Sequence, residues 1–188
     1  MKQRCFGEGN PLYADYHDNE WGIPQHDDRH LFEMLILEGA QAGLSWETVL
    51  KKREAYRKAF HQFDPHKVAR MTDQELDHLL ENPSLIRNRL KIYAARQNAL
   101  VYCAIQKEFA SFDRYLWDYV DGEPIVNCFE TWAQVPAKTQ LSEAISKDLK
   151  KRGMKFVGPT IIYAYLQAVG VLNDHLTSCA VYEKQGWS

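Results

Sequence analysis

The chain has 188 residues, 45 % of them hydrophobic, which is enough for one domain (residues 1–188) with a substantial core. Its formal net charge of −2 carries no global signature of a polyanionic partner, so any nucleic-acid contact has to be local. No apolar run is long enough to span a bilayer, and Met1-Lys2-Gln3-Arg4 leads into no secretory leader; with four cysteines better suited to reduced thiols or a metal than to a disulfide framework, a cytoplasmic protein is expected.

The pattern is helical nearly throughout. Asp27-Asp28 can cap a helix running to about Gln41, apolar on almost every side from Leu31 to Leu37 and therefore buried. Gly43-Leu44-Ser45 breaks it, and Ser45 caps the next helix, which turns Trp46, Val49, Leu50, Tyr56 and Phe60 inward and Lys51, Lys52 and Arg53 toward water. Asp64-Pro65 starts a short helix, and Thr72-Asp73-Gln74-Glu75 is a capping box for another. Pro83-Ser84 opens the longest helix, through Ile86, Leu90, Tyr93 and Val101, with Arg87, Arg89, Lys91 and Arg96 read as its solvated face. Ser111 begins a further helix, Gly122 to Pro136 is an irregular loop with room for a short strand, and helices return at about Ser142–Arg152 and Pro159–Val169. The expected fold is all-α, a compact helical array.

The turn between the last two helices is the sharpest basic focus. Gly153 suits the end of one helix; Gly158 and Pro159 suit the start of the next. Lys147, Lys150, Lys151, Arg152 and Lys155 surround it, opposed by Asp148. Open backbone N–H groups at such a helix start attract a phosphate, which makes a nucleic-acid hairpin over about residues 142–170, with Gly153, Lys155, Gly158 and Thr160 as its DNA-contacting residues, the favoured reading over a solvated helix end.

Two Cys and two His lie near the chain ends. In His175-x3-Cys179 the ligands share one face if the segment is helical, and Cys5 and His17, from a loop, would complete a closed Cys2His2 set suited to structural Zn2+. Cys103 and Cys128 have no Cys or His at ligand spacing. Spacing alone leaves open four unrelated buried or surface residues.

Two further segments, Tyr13-Ala14-Asp15-Tyr16-His17-Asp18-Asn19-Glu20-Trp21-Gly22 and Leu37-Glu38-Gly39-Ala40-Gln41-Ala42-Gly43-Leu44-Ser45-Trp46, resemble the bacterial 3-methyladenine DNA glycosylase I family. The hairpin is similar to that family's helix-hairpin-helix, and Cys5, His17, His175 and Cys179 match its zinc site, so the resemblance runs from Arg4 to about Cys179. A departure is Phe6-Gly7, where the family often carries a Trp; Phe6 takes the aromatic place.

The resemblance implies a monofunctional enzyme that excises 3-methyladenine from alkylated double-stranded DNA; a monomer is expected by default. A flipped, cationic base calls for aromatic faces and an acceptor, which Phe6, Tyr13, Tyr16, Trp21, Trp46 and Glu38 would supply. Glu38 is also the favoured catalytic residue, with Asp174 as the competing acid after the hairpin. Gln41, Gly43 and Leu44 would plug the gap left by the flipped base. Read from residues alone, Glu38 could equally be a buried acid bonded to backbone N–H groups, and the aromatics core. A zinc-stapled DNA binder without catalysis and a zinc hydrolase with an open metal position are the other readings.

Overall fold

A computed structural model describes residues 4–184. It is mostly helical: α1 Pro11–Asn19, α2 Asp28–Gln41, α3 Trp46–Ala59, α4 Pro65–Val68, α5 Asp73–Leu79, α6 Arg89–Phe109, α7 Phe112–Trp117, α8 Gln140–Lys151, α9 Pro159–Ala168 and α10 Ala180–Lys184. Two short strands, β1 Ile125–Val126 and β2 Leu172–Asn173, pair in parallel with Ile125 opposite Leu172. No described helix is long and apolar enough to cross a membrane.

The array is built around α2, buried from Leu31 to Ala40 and packed by α3, α6 and α9. Its start is fixed as the sequence predicts, by Asp27 accepting from the His30 N–H. Ser45 caps α3, and Thr72 with Glu75 forms the capping box of α5. Asp28, one residue inside α2, accepts from the Phe112 and Asp113 N–H groups and so docks α7 against α2.

Several elements differ from the sequence reading, each for a visible local reason. The longest helix begins at Arg89 rather than at Pro83: Asn82 turns the chain by accepting from the Ser84 N–H, and Asn88 supplies the cap. Cys5 and His17 do not share a loop, because Asn10 and Pro11 start helix α1 and carry His17 on it. His175 to Cys179 is not helical: β2 holds the chain extended up to Asn173, and α10 begins only at Ala180.

Of the cations read as solvated, Lys51, Arg87 and Arg89 are exposed, whereas Arg53, Lys91 and Arg96 are partly buried and engaged within the fold. Arg53, whose side chain is 11 % exposed, donates both Nη groups to Glu20 at 2.7 Å and Nε to Glu33 at 2.6 Å, tying α3 to α2 and to the end of α1. Arg89 and Arg96 reach Asp77 and Asp73 on α5. Lys91 donates to Ala40 O at 2.8 Å and Ala42 O at 2.6 Å, neutralising the carbonyl end of α2.

One backbone crossing depends on glycine. After α9, Gly170 has φ +71°, and an added Cβ would lie 2.2 Å from Ile23 C and 2.3 Å from Pro24 N. Gln25 N–H to Val169 O (3.0 Å) and Gly22 N–H to Gln167 O (3.0 Å) hold the two stretches together there. Gly170→Ala combines a backbone clash with a left-handed φ. The expected loss is about 3 kcal/mol or more, and urea unfolding midpoints of the two proteins measure it.

Candidate active site

A cavity of about 200 Å³ opens where α1, α2, α3 and α9 meet. Tyr13 and Tyr16 come from one face of α1, Trp21 from the turn after it, Glu38 and Gln41 from the last turns of α2, and Trp46 from the start of α3. Phe6 completes this aromatic wall, with its ring centroid 4.8 Å from Tyr13 and 5.0 Å from Trp21. The structure thus brings all six base-binding candidates to one place. Three lining residues were missed: Trp132 from the irregular loop, and Ala164 and Gln167 from α9. Gln167 is a polar break in an apolar helix, a signal that could have been used; Trp132 had none.

Glu38 is 4 % exposed and forms no hydrogen bond among the described residues, so it is not an acid tied to backbone N–H groups. Burial alone pushes its carboxyl up to about 8. Tyr16 lies beside it, its centroid 5.5 Å from that of Trp46; burial first, then Glu38, raises the phenol well above its usual range. A carboxyl without a partner among apolar rings is an expensive arrangement for folding alone, and is suited to receiving a positively charged, flat ligand.

Asp174 is fully buried but does not line the cavity. Its oxygens accept from Asn127 Nδ2 at 2.6 Å, Gln167 Nε2 at 2.8 Å and the Tyr163 hydroxyl. With three donors it is a joint between β1, α9 and the C-terminal segment, and Glu38 is the acid in the cavity. Among the described residues no lysine lines the cavity either; Lys155 is exposed on the hairpin. A somewhat larger hollow of about 280 Å³ lies against Phe109 and Tyr115, but its Arg152 and Asp148 pair with each other at 2.6 Å.

The predicted plug leaves the rim of the cavity. Gln41 lines it, Gly43 has φ +79°, and Leu44 stands 40 % exposed at the tip, its N–H on Gln41 O at 2.6 Å. The predicted hairpin lies between α8 and α9. Gly153 takes φ +102°, whereas Gly158 has an ordinary φ of −62° and open space where a Cβ would be. Asn98 pins the turn by donating to Lys155 O (2.9 Å) and accepting from its N–H (2.8 Å). Lys147, Lys150, Lys151, Lys155 and Thr160 are exposed, but Arg152 is engaged by Asp148 and Glu108.

Cys5, His17 and Cys179 come together with their ligand atoms all within 4.8 Å of one another. His175 lies beside this group, its ring centroid 5.1 Å from that of His17. The surroundings fit a metal. His17 Nδ1 is held by Asp18 at 2.8 Å, itself clamped by Arg4, which leaves Nε2 facing Cys179 Sγ at 3.5 Å. Asn173 Oδ1 holds His175 Nδ1 at 2.9 Å, and His175 Nε2 is buried without a partner. Burial brings His175 down to about 4, so it stays neutral, while a hydrogen bond from Cys5 and then one from His17 hold the Cys179 thiol well below its usual range. Gly22 leaves the room this ring needs: a Cβ there would sit 2.7 Å from His175 Cε1.

A helical fold carrying an aromatic cavity with an unpaired buried carboxyl has the chemistry suited to a flat cationic ligand. The comparisons narrow the class. The model of the methyladenine glycosylase family matches residues 6–182. DNA-3-methyladenine glycosylase of Haemophilus influenzae is 50 % identical over 180 residues, 95 % of this chain and 97 % of that protein. DNA-3-methyladenine glycosylase 1 of Escherichia coli is 50 % identical over 181 residues, 96 % and 97 % of the two chains. A solved structure of 3-methyladenine recognition by 3-methyladenine DNA glycosylase I from Staphylococcus aureus superimposes with TM-score 0.93 at 40 % identity, covering 96 % of each chain. The chain belongs to the methyladenine glycosylase family.

Proposed function

We propose that this protein flips 3-methyladenine out of alkylated double-stranded DNA into the aromatic cavity and hydrolyses its N-glycosidic bond, opening base excision repair. The observation that carries this reading is the unpaired Glu38 carboxyl, buried among aromatic rings and facing the cavity. The whole chain acts as a single domain and as a monomer in the cytoplasm, where DNA is accessible to it.

The 3-methylated base is cationic in DNA. Tyr13, Trp21, Trp46 and Phe6 hold it by stacking and cation–π attraction. In the empty cavity Glu38 keeps its proton at neutral pH; a cation arriving beside it favours the ionised form, which then pairs with the base, with Tyr16 alongside. Neutral adenine brings no such compensation, so it gains less from the same site. As the glycosidic bond breaks, its electron pair goes to the base, which leaves neutral and needs no acid. Positive charge passes to the sugar, where Glu38 stabilises it until the oxygen of a water bonds C1′ and its proton goes to solvent. Direct hydrolysis without a Schiff base is the expected route; among the described residues the cavity wall is aromatic and acidic rather than basic.

Cys5, His17, His175 and Cys179 would hold one Zn2+, which supplies structural cross-linking of the two chain ends and leaves no coordination position for catalysis. The α8–α9 turn serves as the helix-hairpin-helix, with Gly153, Lys155, Gly158 and Thr160 on the phosphates, and Leu44 with Gln41 and Gly43 fills the vacated space in the duplex. Incubation of the pure protein with methylated duplex DNA tests the function: release of free 3-methyladenine is expected, and binding without release would leave a DNA-binding module instead.

Lys91 gives a separate check on the plug. Because its ammonium holds the Ala40 and Ala42 carbonyls, Lys91→Met is expected to loosen the Gln41–Leu44 turn. Excision from duplex DNA should fall about tenfold, less than the roughly 10²-fold cost of a full 1 Å misplacement. Binding of free 3-methyladenine should be unchanged; equal losses in both measurements would contradict a plug-specific role.

A further inference from the structure

The loop after β1 carries an aromatic ring that the base-binding set above does not include. Trp132 lines the cavity and is 42 % exposed, whereas Tyr16, Trp21 and Trp46 beside it are buried. Its centroid is 6.2 Å from Trp21 and 6.4 Å from Phe6, at interplanar angles of 51° and 38°. The ring therefore continues the aromatic wall outward, with much of its surface still in water.

Trp132 is fixed before any ligand arrives. Its indole N–H donates to Cys5 O at 3.1 Å, across 127 residues of sequence. Gln134 Oε1 accepts from the Glu130 N–H at 2.6 Å and the Thr131 N–H at 3.1 Å, which closes the turn that presents the ring. Thr177 N–H donates to Phe129 O at 2.9 Å and ties the loop to the C-terminal segment. A large aromatic surface held rigidly at a cavity mouth loses little entropy when a flat ligand covers it.

We infer that Trp132 is a base-binding residue of this enzyme, an outer stacking face that covers the flipped 3-methyladenine and widens the contact that the smaller ring of Phe6 offers. The inference rests on the proposed glycosylase reading. It assigns the loop after β1 to the base site, and it makes Cys5 a support of that site through its carbonyl as well as a candidate metal ligand.

The experiment uses the metal-loaded protein, titrated with free 3-methyladenine by calorimetry, alongside Trp132→Ala and Trp132→Phe, with zinc content and melting temperature recorded for each. Trp132→Ala should bind free 3-methyladenine about tenfold more weakly, the scale of one lost stacking face, and cut excision at subsaturating DNA by a similar factor. Trp132→Phe, which keeps a ring but loses the N–H anchor, should recover most of the affinity. Undiminished affinity in Trp132→Ala overturns the inference. So does an equal loss in both variants accompanied by loss of zinc, which would make the residue a brace for Cys5. If the parent protein neither binds nor releases 3-methyladenine, the glycosylase reading itself fails, an outcome separate from the other two.

Discussion

Glu38→Gln should abolish most base excision while leaving the protein folded and, at neutral and alkaline pH, more stable. The amide keeps the shape of the side chain but cannot carry a negative charge, so the cationic base and the charge developing on the sugar lose their counter-ion. A loss on the order of 10²-fold in single-turnover excision is expected, comparable to removing one preorganised electrostatic partner. The stability effect runs the other way. The Glu38 carboxyl stands at about 8 in the folded chain against 4.5 in the unfolded one. Between those values the folded state holds the extra proton, so stability is complete below about pH 4.5 and is lost as pH rises toward 8. At pH 7 this burial costs the parent up to about 3 kcal/mol. The variant removes that cost, so its melting temperature should exceed the parent's at pH 8 and the two should converge near pH 4.5. A variant that is fully active, or one whose stability difference does not depend on pH, would contradict this account of the site.

Cys179→Ser should remove bound zinc and a large part of the fold's stability together. Cys179 is buried at the junction of the N-terminal segment, α1 and the C-terminal segment, with Cys5 and His17 within ligand reach of one another around it. That junction holds His175 Nε2 buried without a partner and Cys179 Sγ 3.5 Å from His17 Nε2. A structural zinc contributes folding free energy directly, because the ligand set does not exist in the unfolded chain. A loss of about 3 kcal/mol corresponds to roughly a 10 °C fall in melting temperature for a protein of this size. Chelator treatment of the parent should reproduce the fall, and metal analysis should give one zinc per parent chain and none in the variant. An unchanged zinc content in Cys179→Ser would remove the metal from the Cys179 site. Excision should decline only as the cavity wall at Phe6 and Trp21 loosens, as expected if the proposed metal does no more than join the chain ends.

Much of this fold can be read from the chain because helix ends announce themselves locally. Asp27, Ser45, Thr72 and Ser111 each cap the helix the sequence assigns to them. The all-round apolar pattern of α2 predicts its burial, and that helix places Glu38. Where two local signals competed, the reading slipped: Pro83 suggested a helix start, but Asn82 and Asn88 divide the segment into a turn and a cap. The helical spacing of His175 and Cys179 suggested a shared helix face, whereas β2 pairs with β1 up to Asn173 and the chain then closes a turn, Cys179 N–H on Leu176 O, before α10 begins. A two-residue parallel strand has no pattern of its own to recognise.

The cavity shows the same division. Its inner residues lie in the two segments whose sequence carries the family resemblance, so Tyr13, Tyr16, Trp21, Glu38 and Trp46 could be named from the chain. The sequence by itself determined the helical class, most of the helix starts and the chemical types assembled at the site. Only the tertiary structure decided that Glu38 has no hydrogen-bond partner, that Asp174 is engaged by three donors, that Arg53 and Lys91 work inside the fold, and that Trp132 stands at the cavity mouth. The physical reason is range. Caps and amphipathic periods arise between residues a few positions apart, while desolvation, charge pairing and cavity lining depend on which distant segments meet.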